Sequence, residues 1–137
     1  MPDRVALITG GAKGIGRDAA LALAGAGWAV AICYRTSKDE AVETGKAIEA
    51  LGAEGLHFKA DVSDPDAAFR LVKNVEGEWG RIDALINCAG PYHKISLLEE
   101  TPEGWRGMFD DNLHHVFYMS RPLAPGMKSW KWGRIIN

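Results

Sequence analysis

Thr9-Gly10-Gly11-Ala12-Lys13-Gly14-Ile15-Gly16 is the stretch whose reading decides the fold. The apolar run Val5-Ala6-Leu7-Ile8 leads into it, and an Ala- and Leu-rich segment, Ile15 to Ala26, leads out. Strand, glycine loop and helix follow one another, which is how a fold turns a helix N-terminus toward a phosphate. The N–H groups of a helix's first turn have no partner inside the helix, and the helix dipole adds about half a positive charge there. Glycines let the backbone turn sharply and approach a pyrophosphate where a Cβ would collide. The spacing is G-x-x-x-G-x-G rather than the commoner G-x-G-x-x-G. A glycine cluster alone says little; its place between an apolar strand and a helix gives it weight.

Beyond the loop, Ile15, Ala19, Ala22, Leu23 and Ala26 recur at helical spacing and predict one apolar helix face, with Gly25 and Gly27 as the stop. Trp28 to Tyr34 reads as a second strand. A second helix follows from Lys38 to Leu51, with Ala41, Val42, Gly45, Ile48 and Leu51 inward and Gly52 as its end. Leu56 to Ala60 is a third strand. Asp64-Pro65 pairs an N-cap with a proline at the first helical position, and the stripe Ala68, Leu71, Val72, Val75, Trp79 follows, stopped by Gly80. Ile82 to Asn87 is a fourth strand. Thr101-Pro102 repeats the cap-plus-proline signal and opens a long helix, which Pro122 and Pro125 are expected to kink or end. Arg134 to Asn137 begins a fifth strand. Strands alternating with helices predict an α/β fold with a parallel sheet, and the continuous apolar runs predict strands covered on both faces.

The composition of the 137 residues, 47% hydrophobic and 25% charged, is that of one globular domain and argues against disorder. A net charge of −2 gives no electrostatic case for nucleic acid or an anionic membrane. No apolar run approaches the roughly 20 residues of a transmembrane helix. Met1-Pro2-Asp3-Arg4 runs straight into a strand, so no signal peptide is expected and the location expected is cytoplasmic. Cys33 and Cys88 are far apart and in no C-x-x-C pattern, which reads as free thiols rather than a disulfide or metal site.

The second strand ends Cys33-Tyr34-Arg35-Thr36-Ser37. In dinucleotide folds an acid at this point binds the adenine ribose of NAD, whereas an arginine accommodates the 2′-phosphate of NADP. Arg35 stands there, and Lys13 in the glycine loop adds a second cation, so NADP(H) is favoured over NAD(H). The plainer alternative is that both are solvated surface charges. Tyr34 and Lys38 match Tyr-x-x-x-Lys, but one ends a strand and the other starts a helix. A tyrosine whose pKa is lowered by a lysine needs both on one helix face, so this match is set aside.

Asp61-Val62 follows the third strand and Asn87-Cys88-Ala89-Gly90 the fourth; turn chemistry alone could account for either. Asn112 falls on the apolar stripe Trp105, Met108, Phe109, Asn112, Val116. A buried amide without partners costs about 1–3 kcal/mol, so a polar residue in that register needs a structural partner or a task. His57 and His93 are scattered, and the adjacent His114 and His115 point apart on a helix and cannot share a ligand. The loop Pro91-Tyr92-His93-Lys94 can line a substrate mouth or simply be exposed.

Together these residues resemble the short-chain dehydrogenase/reductase family, in order along the whole chain: Thr9-Gly10-x-x-x-Gly14-Ile15-Gly16, Asp61-Val62, Asn87-Cys88-Ala89-Gly90, Asn112-Leu113 and Gly133-Arg134-Ile135-Ile136-Asn137. The fourth-strand pattern of the family is usually N-N-A-G; here Cys88 replaces the second Asn. The resemblance implies a Rossmann-like doubly wound parallel sheet, of which this is the N-terminal five-strand portion. It implies that Gly10, Gly14, Ile15 and Gly16 hold the pyrophosphate side of the cofactor, with Thr9 also among the cofactor-binding residues. By the same resemblance Asp61 bonds the adenine amino group with Val62 beside the ring, and Asn87, Ala89 and Gly90 line the adenosine ribose. Asn112 matches the family's active-site asparagine, which kinks its helix and holds a water in a proton relay. The flavour is similar to 3-oxoacyl carrier-protein reductases and pteridine reductases.

In this family a serine lies just beyond the fifth strand and a Tyr-x-x-x-Lys on the next helix, and Asn137 precedes both. Hydride transfer needs a polarised carbonyl and a proton for the developing alkoxide. The 137 residues are therefore expected to be a truncated, unaided-inactive part of an NADP-dependent reductase, with a small-molecule carbonyl or imine substrate and a homo-oligomeric full-length form. Truncation is also expected to leave the fifth strand as an apolar edge. The alternatives are a stand-alone dinucleotide-binding module without catalysis, or a half-domain completed by another chain.

Overall fold

The computed structural model describes residues Met1–Asn137. Its strands are β1 (Val5–Thr9), β2 (Ala29–Tyr34), β3 (Gly55–Lys59), β4 (Ala84–Asn87) and β5 (Arg134–Ile136). Between them lie α1 (Gly14–Gly25), α2 (Lys38–Ala50) and α3 (Pro65–Trp79); α4 (Pro102–Phe109) runs through a π-helical turn (Asp110–His114) into α5 (His115–Trp130). The sheet is parallel throughout, in the order β3-β2-β1-β4-β5. Leu7 sits opposite Ala31 of β2 and Leu85 of β4.

Alternation along each strand divides the core in two. Val5, Leu7, Ala31 and Cys33 face α3 and α5 and pack with Leu71, Val75, Met119 and Leu123. Ile8, Val30 and Ile32 face α1 and α2 and pack with Ala20, Ala24, Ala41 and Ile48. The five-stranded sheet with helices on both faces is the doubly wound α/β architecture the sequence predicts. The chain leaves β1 toward β2 and β3, then returns to the other side of β1 with β4. That reversal opens a crevice above the C-terminal ends of β1 and β4.

The α3 reading is met in detail. The Asp64 carboxylate accepts from the Asp66 amide, Pro65 fills the first turn, and Gly80 closes the helix at φ +74°. All five stripe residues are buried. Thr101 caps α4 in the same way, its hydroxyl accepting from the Gly104 amide at 3.0 Å.

Five expectations are corrected. The α1 face that packs is Gly16, Ala20 and Ala24, while Ile15 is exposed; the helix lies so close to the sheet that only the smallest side chains fit beneath it. On α2, Thr44 joins Ala41, Gly45 and Ile48 inside, and Leu51 points out. The helix runs through Pro122 and Pro125 to Trp130 rather than ending near them, and Pro125 is exposed. The stripe around Asn112 is not core: α4 and the π-helical turn bury no residue, and Asn112 itself is exposed. The α5 face that packs is His115, Met119, Leu123 and Met127. Coverage on both faces holds for β1 and β2 but not for the outer strands, since β3 is part-exposed and β5 exposed along its length.

Candidate functional site

A cleft of about 440 Å³ opens at the crevice above β1 and β4. The glycine loop forms its floor. Gly10 has φ +63°, and a Cβ there would stand 2.9 Å from the Cys88 carbonyl oxygen and 3.0 Å from the Ala89 Cα. A Cβ on Gly16 would strike the backbone of Gly10 and Gly11, so helix and loop touch only because neither has a side chain at that point. Gly14 has φ +58° and nothing within 4 Å of where its Cβ would be, which leaves open space beside the helix end.

That helix end is electrostatically unfilled. Lys13 precedes α1 and makes no side-chain cap bond, and the first turn of α1 carries no acid. By contrast α2 starts with Asp39 and Glu40, α3 with the Asp64 cap and Asp66, and α4 with the Thr101 cap and Glu103. The partial positive charge of α1 is thus left facing the cleft.

Two side-chain hydrogen-bond systems hold the loop. Thr9, fully buried at the end of β1, accepts through Oγ1 from the amides of Cys88 (3.1 Å) and Ala89 (3.0 Å). One hydroxyl oxygen therefore ties the glycine loop to the segment after β4. From α2, the Thr44 hydroxyl donates to the Ala12 carbonyl at 2.9 Å. Thr44 was not among the sequence-derived site residues; its signal was a hydroxyl beside the inward positions of α2.

The cleft walls bring most of the predicted residues together. Gly10, Lys13, Gly14, Ile15 and Gly16 line one side, and Arg35 stands at the end of β2. Asp61 and Val62 come from the end of β3, and Ala89 and Gly90 from the end of β4. Thr9, Asn87 and Asn112 lie outside the lining. Thr9 acts from beneath. Asn87 ends β4 beside Thr9; its Nδ2 donates to Asn137 Oδ1 at 2.8 Å, and its own Oδ1 is buried without a partner. Asn112 Nδ2 donates to the Met108 carbonyl at 3.2 Å, and its Oδ1 lies where a Cβ on Gly90 would go. Gly90, at φ +141°, is therefore needed both for its backbone and for the approach of Asn112.

Asp61 accepts from the Ser63 hydroxyl at 2.7 Å and the Ser63 amide at 3.0 Å. The hydroxyl bond is the main cause holding its carboxyl below the usual range; slight burial opposes this and the Arg35 charge adds to it. A carboxylate so kept is an acceptor at neutral pH. Arg35 is exposed, and its Nη1 lies 3.4 Å from Oδ1 of Asp111, a lining residue on the π-helical turn. Asp111 was not singled out from sequence, for lack of any local pattern: the two partners are 76 residues apart.

Tyr34 ends β2 and Lys38 opens α2, so they do not share a helix face, as the sequence reading held. Cys33 and Cys88 are free thiols, and burial pushes Cys33 up to about 12. His114 pairs with Asp110, and His115 is buried with neither ring nitrogen bonded. Tyr92, His93 and Lys94 are exposed. No helix is long and apolar enough to cross a membrane.

The model of the short chain dehydrogenase family matches residues 4–137. The chain belongs to that family. An acetoacetyl-CoA reductase of Shinella zoogloeoides is 37% identical over 98% of this chain and 54% of its own length. A 3-oxoacyl-acyl-carrier-protein reductase of Staphylococcus epidermidis is 36% identical over 98% of this chain and 55% of its own. The chain thus spans about half the length of the curated relatives it matches. Among solved structures, a short-chain dehydrogenase/reductase of Serratia marcescens superposes with a TM-score of 0.90 at 32% identity, over 98% of this chain and 54% of that one. A Burkholderia cenocepacia structure with bound NADP gives 0.83 at 36% identity, over 88% of this chain and 46% of that one.

Proposed function

We propose that residues 1–137 are the cofactor-binding part of an NADP(H)-dependent short-chain reductase, one dinucleotide-binding unit incomplete on its C-terminal side. The observation that carries this reading is the uncapped, acid-free start of α1, opening on a cleft that holds Lys13 and Arg35 and no carboxylate at the end of β2. The residues fit a dinucleotide. Glycines leave room for a pyrophosphate where side chains would collide, and the first-turn amides of α1 are free to donate to it. Arg35 offers a guanidinium fork to a 2′-phosphate, with Lys13 as a second, point-like charge. In this reading the Asp61 carboxylate accepts from the adenine amino group, with Val62 beside the ring. Asn87, behind the lining at the end of β4, has a buried Oδ1 without a partner, and in this reading it supports the ribose end.

When bound, the dihydronicotinamide supplies a hydride to a carbonyl or imine carbon. The chain's own part is to hold the adenosine and phosphate end, and through Asn112 to support a proton relay. Proton delivery itself requires a donor and an orienting lysine. The one Tyr-x-x-x-Lys of the chain is unusable, because strand and helix separate its members. The 137 residues alone therefore bind cofactor without turning over. In the longer form the exposed Trp105, Leu113 and Phe117 support association with further copies of the chain.

The test is a pair of measurements on the chain as it stands. Titration with NADPH gives saturable binding, and a 3-oxoacyl thioester added to that complex causes no loss of NADPH absorbance. Turnover by the 137 residues refutes the assignment of inactivity; absence of any nucleotide binding refutes the cofactor site.

A further inference from the structure

Arg35 and Asp111 meet across the mouth of the cleft. One belongs to the end of β2, the other to the π-helical turn between α4 and α5, and both line the cavity. Their Nη1–Oδ1 distance is 3.4 Å, with 54% of the Arg35 side chain and 32% of the Asp111 side chain exposed. A second carboxylate, Asp61, also feels the Arg35 charge, but its oxygen is engaged by Ser63. Asp111 has no other side-chain partner, and Lys13 has no carboxylate partner.

We propose that Asp111 is a specificity-determining residue: its carboxylate occupies Arg35 in the free protein and must be displaced by the 2′-phosphate of the cofactor. The proposal rests on the NADP(H) reading above. A ribose without that phosphate leaves the Arg35–Asp111 pair intact, so Asp111 acts on one cofactor and not on the other. It lowers the preference for NADP(H) that Arg35 and Lys13 create. An exposed ion pair is weak, so the effect is a few-fold rather than a switch, about 2- to 5-fold in affinity.

The experiment is a set of NADPH and NADH titrations of the full 137-residue chain at fixed ionic strength. Asp111→Asn tightens NADPH by that few-fold and leaves NADH unchanged. The same substitution in an Arg35→Ala background loses most of the NADPH gain, whereas in a Lys13→Ala background it keeps it, because only Arg35 is paired. Asp111→Ala reproduces the direction, which guards against a side effect of the new amide. Weaker NADH binding in Asp111→Asn overturns the proposal by making Asp111 a direct ribose ligand. An unchanged or weakened NADPH affinity overturns it as well, and so does a gain that persists undiminished without Arg35. The underlying reading fails differently: the parent chain then binds both nucleotides alike and Arg35→Ala alters neither.

Discussion

Thr9→Val separates the shape of a side chain from its hydrogen bonding at the point where two loops of the cleft are joined. Valine has nearly the size of threonine, so the fully buried site stays filled. What is lost is one oxygen that accepts from two amides, Cys88 at 3.1 Å and Ala89 at 3.0 Å. Each amide left without a partner costs about 1–3 kcal/mol when buried. Both are only part-buried and border the open cleft, so the lower end applies, and the sum is about 2–3 kcal/mol. For a chain of this length each kcal/mol moves the melting midpoint by about 3–4 °C, which makes the expected drop about 7–10 °C. Thr9→Ser keeps the oxygen and gives up one methyl group, at about 1 kcal/mol. Urea and thermal unfolding of the three proteins, followed by circular dichroism, make the comparison. The reasoning is refuted if the valine variant is as stable as the serine variant.

Gly16→Ala forces a methyl group into the backbone of Gly10 and Gly11, which no side-chain rotation relieves. It is expected to cost about 1–3 kcal/mol of stability and, by pushing the loop off the helix end, at least about tenfold in NADPH affinity by titration. His115 is buried and uncharged, with the carbonyls of Ala89 and Asp111 near its ring but outside bonding geometry. Burial lowers its pKa from the ordinary 6.5, so the unfolded chain takes up a proton first as pH falls. Stability is therefore lost as pH drops below about 6.5, until the lowered folded value is passed. Urea midpoints measured between neutral and mildly acid pH should fall less steeply in His115→Gln; identical slopes exclude this role.

The parts of the fold that were readable are those with strong local physics. A proline after an aspartate, a regular stripe and a terminal glycine identify α3 to the residue at both ends. Apolar runs between turn signals identify all five strands, within one or two residues. The α1 face was misread because alanine is indifferent: four of its twelve residues are Ala, and periodicity cannot choose among them. The Asn112 stripe failed for another reason. Its register is amphipathic, but α4 buries no residue, and the π-helical turn shifts the phase before α5 meets the sheet. A 3.6-residue period carried across that turn points to the wrong face. In the cleft, most residues with motif spacing were found, although Thr9, Asn87 and Asn112 stand outside its lining. Those that act through space were not: Asp111 reaches Arg35 from another element, and Ser63 matters only because its hydroxyl turns back to Asp61.

The ratio of NADPH to NADH affinity, in the parent chain and in Arg35→Ala, tests the cleft's cofactor most directly. Exposed charges on a phosphate dianion at the cleft mouth are each expected to supply about 1–2 kcal/mol, so the ratio should be about tenfold or more in favour of NADPH. Removing Arg35 should reduce it toward that left by Lys13 alone, with NADH affinity unmoved. Equal affinities, unchanged in Arg35→Ala, contradict the assignment of this cleft to NADP(H).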